Sequence, residues 1–311
     1  MKQRLMLMLA LLAGALLFGT GLALPATALT PASSLEADYP EIRLEATDYA
    51  FTVSSHGPAG LTRVTMINSG HEPHHVQLMQ LAEGQSSETL QTAMSQDPAA
   101  IFGLGRFVGG PAAVAPGEQS QVILDLEPGQ YVALCFVQSP DGVPHLAKGM
   151  VQTFEVPGTR TTVPEPEAAG TVVMEDFTFE LPTHISAGRQ VWEVVNEGAQ
   201  PHEIVLLKLA PGVSPEQAME MLLSPAAGQE ASPEVGQTGA SHDASPAGSP
   251  AASGPPPFQP VGGMQAMATG LRGWAVLDLE PGTYVAVCGV PDPQSGQPHL
   301  MLGMVATFTV E

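Results

Sequence analysis

Short runs of Val, Ile, Thr, Phe and Leu alternate with Gly and Pro along most of the chain. Such runs, bounded by turn-forming residues, are typical of strands in an antiparallel sandwich. In the first half the pattern predicts strands at EIRLEAT, AFTVSS, TRVTMINS, HHVQLMQL, QSQVILDL, QYVALCFV and MVQTFEV. In the second half it predicts strands at TVVMEDFTFEL, QVWEVVNE, HEIVLLKL, WAVLDLE, TYVAVCGV and MVATFTV. The fold is therefore predicted to be all-β.

Two segments carry helical spacing instead. SSETLQTAMS (86–95) and SPEQAMEMLLS (214–224) begin with Ser or Ser-Pro and place apolar residues three and four positions apart. Each therefore predicts one short surface helix. Each segment is followed by a VGG sequence, which we interpret as a turn.

The chain contains one internal duplication. Asp48 precedes Asn68 by 20 residues, and Asp176 precedes Asn196 by the same interval. A second Asp lies 10 residues before a cysteine in each half. We interpret the two halves as tandem copies of one domain.

The predicted boundaries follow from the repeat and from composition. Domain one spans 40–158, domain two spans 171–311, and 159–170 is a linker. The second copy is longer because of an insertion at about 225–258, which is crowded with Ser, Ala, Pro and Gly. Such a segment buries too little apolar surface to order itself, so disorder is predicted there.

Charge and the N-terminus restrict partners and compartment. The 311 residues include 31 acidic and 10 basic ones, a formal net charge of -21, which argues against nucleic acid or an anionic membrane as a partner. Residues 1–28 combine Lys2 and Arg4, an apolar run and an Ala-Thr-Ala stretch, as in a signal peptide. We expect an exported protein in the periplasm, at the cell surface or outside the cell; an uncleaved anchor is the alternative.

Each half also carries the same set of chemical groups. PG[QT]YVA[LV]C is followed by a long loop, then PHL, then GM, and a Pro-His pair lies upstream, six residues after an Asn. A thiolate, a thioether and imidazoles together favour copper over hard cations. The predicted metal ligands are His74, Cys135, His145 and Met150 in the first half, and His202, Cys288, His299 and Met304 in the second.

These motifs resemble the cupredoxin family of blue copper proteins, over nearly all of the chain after the leader. The resemblance implies two tandem Greek-key β-sandwich domains, each holding one type 1 copper with a weak axial methionine. It further implies a carrier or relay of electrons between redox partners. Electrons would leave through the exposed edge of the downstream histidine, which Pro144, Leu146, Pro298 and Leu300 would surround as an apolar rim.

The same resemblance bears on catalysis. Copper nitrite reductases and multicopper oxidases also have tandem cupredoxin domains, but they place a histidine directly before the blue-site cysteine. Leu134 and Val287 occupy that position here. We therefore predict that the protein is not an enzyme.

Several alternatives remain open from sequence. The cysteines of an exported protein could form a disulfide. The protein could scavenge, store or deliver copper, or be a metal-free interaction module. His71 and His75 are interpreted as surface histidines. Asn68 and Asn196 either tie the ligand loops together or serve as turn residues.

Overall fold

The computed structural model describes residues 39–96, 98–223 and 257–311. The predicted signal peptide at 1–28 lies outside the described residues, and so does the predicted insertion except for its last two positions. Phe258, the last of these, already begins a strand. Within the described ranges, no helix is both long and apolar enough to cross a membrane.

The first half contains eight strands and one α-helix among its described residues. The strands are β1 (Glu41–Thr47), β2 (Ala50–Ser55), β3 (Gly60–Asn68), β4 (Gln77–Leu81), β5 (Gly105–Gly109), β6 (Gln119–Leu126), β7 (Gly129–Leu134) and β8 (Val151–Val156). The helix is α1 (Ser87–Gln96).

The second half repeats this order in the residues that the structure describes. The strands are β9 (Gly170–Glu175), β10 (Thr178–Glu180), β11 (Gly188–Asn196), β12 (His202–Leu209), β13 (Phe258–Met267), β14 (Arg272–Leu279), β15 (Gly282–Val287) and β16 (Val305–Val310). The helix is α2 (Pro215–Leu223).

Two eight-stranded sheets face each other, and each takes four strands from each half. Their orders are β10-β9-β11-β14-β6-β3-β1-β2 and β16-β15-β12-β13-β5-β4-β7-β8. The chain crosses between sheets from β3 to β4 and from β6 to β7, as in a Greek-key sandwich. The predicted all-β sandwich class, with one short α-helix in each half, is confirmed, and its division into two tandem domains stays a prediction. The domain boundaries stay a prediction, since both sheets continue from one half into the other.

Alternation along β1 shows how the sequence builds the core. Ile42, Leu44 and Ala46 are fully buried between the sheets, whereas Arg43 and Glu45 point to solvent. Burying a Leu side chain stabilises the fold by about 1.5–3 kcal/mol. Leu44→Ala would cost about 2–5 kcal/mol, because it adds a cavity to the lost transfer energy.

Both predicted helices are confirmed, and their caps explain where they begin. At α2 the Ser214 hydroxyl accepts the N–H of Gln217 at 3.2 Å, and the Gln217 side chain accepts the N–H of Ser214 at 2.9 Å. Ser86 and Thr89 exchange matching hydrogen bonds at α1. These reciprocal bonds satisfy N–H groups that the first turn leaves unpaired.

The interpretation of the VGG sequences as turns is wrong. Both lie along β5 and β13, the strands that join the halves. A β-carbon on Gly110 would lie 1.9 Å from the Val76 carbonyl oxygen, and one on Gly263 would lie 2.1 Å from that of Ile204. These glycines are therefore required by the close approach of the neighbouring strand, and a glycine pair looks like a turn in sequence.

Candidate metal centres

The ends of several strands bring the predicted ligands together. Each cysteine directly follows β7 or β15, and each upstream histidine lies at or just before β4 or β12. Each downstream histidine opens a short 3₁₀ turn, and each methionine directly precedes the last strand of its half. All eight side chains are fully buried: His74, Cys135, His145, Met150, His202, Cys288, His299 and Met304.

In the first half, three donor atoms converge to form site one. The Sγ of Cys135 lies 3.5 Å from Nδ1 of His145, and that Nδ1 lies 3.1 Å from Nδ1 of His74. All three atoms lie within 4.8 Å of one another.

Site two, in the second half, has the same arrangement. The Sγ of Cys288 lies 3.4 Å from Nδ1 of His299 and 3.9 Å from Nδ1 of His202. The two Nδ1 atoms are 3.0 Å apart. Equivalent atoms therefore face inward in both copies.

The spacing of these donors fits a single ion. Donors bound at about 2.0–2.3 Å and spread in a trigonal plane lie roughly 3.5–3.7 Å apart. The distances in the two sites bracket this range, so each His/Cys/His group could hold a metal ion. Met150 and Met304 are tied to the same turns, since each donates its N–H to the downstream histidine carbonyl at 2.9 Å. That all eight residues are ligands stays a prediction.

Both cysteines are free, so the disulfide alternative is excluded for this structure. Burial raises the pKa of Cys135 to about 12 and raises the pKa of Cys288 well above its ordinary value. Backbone N–H groups of Val137 and Val290 bond each sulfur and act in the opposite direction. Without a cation each thiol is therefore protonated at neutral pH, and a bound metal would supply the charge that a thiolate needs.

The long loop after each cysteine is folded back by main-chain bonds. Leu146 donates to the carbonyl of Cys135 at 2.8 Å, and His145 donates to Val137 at 2.8 Å. In site two Leu300 makes the same bond to Cys288. These bonds bring the downstream histidine beside the cysteine despite the number of residues between them.

An aspartate that sequence reasoning missed orients each upstream histidine. Nε2 of His74 lies 3.2 Å from Oδ1 of Asp48, and Nε2 of His202 lies 2.8 Å from Oδ1 of Asp176. Hydrogen bonds, chiefly from the His71 N–H, hold the pKa of the Asp48 carboxyl well below its ordinary value. The hydrogen bond from His202 lowers the pKa of Asp176 as well. A carboxylate that accepts a hydrogen bond from Nε2–H holds the proton on that nitrogen and leaves Nδ1 free as a ligand. The constant 20-residue interval from Asp to Asn was the available sequence signal.

The Asn-x-Gly motif shapes the loop beside the hydrogen bond between the aspartate and the upstream histidine. Asn68 accepts the N–H of Gly70 at 3.0 Å, and its amide donates to Glu72 and Val114 carbonyls. A β-carbon on Gly70 would lie 2.5 Å from Oδ1 of Asp48 and 2.6 Å from Nε2 of His74. Asn68 thus shapes the upstream loop, as Asn196 does in site two. The hydrogen bonds of each asparagine reach its own upstream loop and a neighbouring strand region. They do not reach the loop that carries Cys and Met, so the asparagines do not tie the two ligand loops together.

The expectation of an exposed downstream histidine is wrong. His145 and His299 are both fully buried, and Leu146, Leu300 and Pro298 are buried as well. The physical reason is that the upstream loop covers each Nε2 with a polar side chain. Glu72 Oε2 lies 2.8 Å from Nε2 of His145, and Gln200 Oε1 lies 3.1 Å from Nε2 of His299.

One of the two histidines interpreted as surface residues is also buried. His71 has a side chain that is 93% exposed, as predicted. His75 is only 9% exposed, and its Nε2 accepts the N–H of Phe136, the residue after Cys135, at 2.8 Å. In site two Glu203 accepts the N–H of Gly289 at 2.9 Å in the same place. Residues next to the upstream histidines thus pin the segment that follows each cysteine.

Comparison with known proteins finds only distant structural likeness. No protein-family model and no curated protein sequence matches the chain. Among solved structures, a reduced auracyanin from Roseiflexus castenholzii is 20% identical with a TM-score of 0.27, covering 38% of this chain and 98% of its own. Auracyanin A, a "blue" copper protein from Chloroflexus aurantiacus, is 18% identical with a TM-score of 0.24, covering 46% and 100%.

A copper enzyme is found as well. A copper nitrite reductase from Nitrosomonas europaea is 13% identical with a TM-score of 0.23, covering 87% of this chain and 93% of its own. The chain is thus distantly similar in structure to auracyanins and to a copper nitrite reductase. At these identities and TM-scores the likeness carries no argument about fold or function, and the assignments rest on the residues of this chain.

Proposed function

We propose that this protein is an exported blue copper protein that carries electrons, with one type 1 copper in each half. The single observation that carries the proposal is the duplicated trio of buried donors, in which Sγ and two Nδ1 atoms converge while each Nε2 is occupied by a polar partner. Bound copper would supply one-electron exchange between Cu(II) and Cu(I). The ligands would be the eight buried residues predicted from sequence, with Met150 and Met304 as weak axial donors.

The protein's own residues would hold this set fixed during electron exchange. Asp48 and Asp176 fix the tautomer of the upstream histidines, and main-chain bonds fix the loop that carries the downstream ones. Burial excludes water from the thiolate. A site held in this way changes little between oxidation states, which suits a carrier.

The positions directly before the cysteines support a carrier rather than an enzyme. Leu134 packs in an apolar cluster with Met79 and Leu90, and Val287 packs in another with Leu207. Neither position offers an imidazole for a second copper adjacent to the thiolate.

The sheet geometry separates the two upstream histidines. His202 pairs with Met267 on β13, Met267 pairs with Val108 on β5, and the adjacent Gly109 pairs with Leu78 on β4. Three strand spacings across the sheet are about 14 Å, and the four residues from Leu78 back to His74 add roughly 14 Å along it. The two upstream histidines thus lie at diagonal corners.

Loading the metal-free protein with Cu(II) tests the proposal. The expected result is the intense visible absorption of a copper–thiolate bond, together with reversible one-electron cycling at unchanged copper content. Absence of that absorption would refute a type 1 site. Tight Cu(I) binding with no stable Cu(II) form would instead support copper storage or delivery. The excess of acidic residues suits a cationic redox partner. The copper-loaded protein can be used to search for that partner.

A further inference from the structure

Two residues at matched positions differ in charge, and each contacts the ring nitrogen of the downstream histidine that does not face the metal site. Glu72 lies four residues after Asn68 and two before the upstream histidine of site one. Gln200 lies four residues after Asn196 and two before the upstream histidine of site two. Each reaches Nε2 of the downstream histidine, at 2.8 Å for Glu72 and 3.1 Å for Gln200. Site one thus places an acid where site two places an amide.

We propose that this difference sets the two sites at different reduction potentials, with Glu72 holding site one at the lower value. The inference rests on the proposed copper function. A carboxylate that accepts a hydrogen bond from Nε2–H makes Nδ1 a stronger donor, which favours the more highly charged oxidised ion. The negative charge itself also favours that ion, because water screens little of it at a side chain that is only 20% exposed.

The surroundings of each residue are matched to its chemistry. Tyr49 donates its hydroxyl to Oε1 of Glu72 at 2.8 Å, and Phe177, which has no hydroxyl, occupies the equivalent position in site two. Gln200 donates its amide to Oδ1 of Asp292 at 3.1 Å, which turns its own Oε1 toward the histidine. In site two the carboxylate on this side, that of Asp292, therefore contacts Gln200 and not the downstream histidine itself.

Other charges near the sites do not reverse the difference. Lys148 lies 3.3 Å from the Tyr49 hydroxyl, but Asp141 pairs with its ammonium at 2.8 Å. At site two, Glu203 bonds a peptide N–H rather than a ligand. Its influence on the copper is expected to be smaller than that of Glu72, because it makes no hydrogen bond to a histidine ligand.

Reciprocal substitutions test the inference by redox titration of each site. Cys288→Ser isolates site one, and Cys135→Ser isolates site two. Glu72→Gln should raise the potential of site one by about 59 mV, a roughly tenfold change in the oxidised-to-reduced ratio. Gln200→Glu should lower that of site two by a similar amount. Glu203→Gln is the matched control and should shift site two by less.

The outcomes separate this inference from the function on which it rests. Loss of blue absorption in the unmutated protein would refute the copper function. Intact blue sites with unchanged potentials in both variants, or with shifts of the same sign, would overturn the role of Glu72 and Gln200, because general loosening does not give opposite shifts. If a variant does not fold, the reduction potentials of the two sites are compared in the unmutated protein. Equal potentials, or a higher potential at site one than at site two, would overturn the inference.

Discussion

Sites one and two share their donor atoms and the aspartate and asparagine that orient them, but they differ at three neighbouring positions. The buried Sγ and Nδ1 atoms superpose in kind and spacing, and an aspartate binds each upstream histidine. Around them, Glu72, Tyr49 and His75 of site one correspond to Gln200, Phe177 and Glu203 of site two. The two halves thus share the groups that could hold a metal ion and differ in several groups that would set its electrostatic environment. The two halves can therefore serve as controls for each other.

The largest expected effect comes from filling the space beside the Asp–His pair. Gly70→Ala would place a carbon 2.6 Å from Nε2 of His74, and Gly198→Ala one 2.5 Å from Nε2 of His202. Each variant should lose copper from its own half alone and be destabilised by about 1–3 kcal/mol. Metal content and urea unfolding measure both effects. Gly158→Ala, with nothing within 4 Å of its new carbon, is the control; a glycine variant that kept both ions would contradict the role of these contacts.

A smaller effect is expected when the aspartates are removed. Asp48→Ala and Asp176→Ala leave the upstream imidazole without its Nε2 partner, so copper affinity at that site should fall about 10–100-fold. Competition with a copper chelator measures the affinity of each site. The control is Asp125→Ala, which removes a surface carboxylate that pairs with Arg160. It should leave the copper affinity of both sites unchanged. Equal affinities in the aspartate variants and the unmutated protein would show that the histidines are oriented without them.

The subtlest difference is in the acid response of the metal-free protein. Burial lowers the pKa of His75 from 6.5 to about 3, so the unfolded chain takes up this proton first and stability falls as pH drops below 6.5. Burial raises the pKa of Glu203 from 4.5 to about 7, so the folded chain binds the proton first and stability rises as pH drops from 7 toward 4.5.

Matched substitutions should therefore change the pH dependence in opposite directions. Between pH 7 and pH 5, His75→Gln should reduce the loss of stability on acidification, and Glu203→Gln should increase it. Urea unfolding at the two pH values measures both. Parallel behaviour of the two variants would mean that burial does not control these protons.

Much of this architecture could be predicted from the sequence, because its signals are local or repeated. Strand alternation located the sheets, helical spacing located α1 and α2, and the recurrence of Cys, His and Met at similar intervals pointed to the buried trios. Assigning Cys135 and Cys288 as ligands of separate sites implied that they are not bonded to each other. Both are free in the structure, which confirms this.

What could not be predicted depends on contacts between distant side chains. Asp48 meets His74 across 26 residues, and Glu72 meets His145 across 73. A surface-type residue such as Glu72 gives no sequence sign that it will cover a histidine, so the downstream imidazole was expected to be exposed. The glycine pair after Val108 misled because close strand approach and a turn both select glycine.

Counting copper per chain in cysteine variants tests the central claim most directly. If each half forms its own site, the unmutated protein binds two ions with copper–thiolate absorption, Cys135→Ser and Cys288→Ser bind one each with about half that absorption, and the double variant binds none. An unmutated protein without this absorption, or a single variant that still holds two ions, would contradict the account.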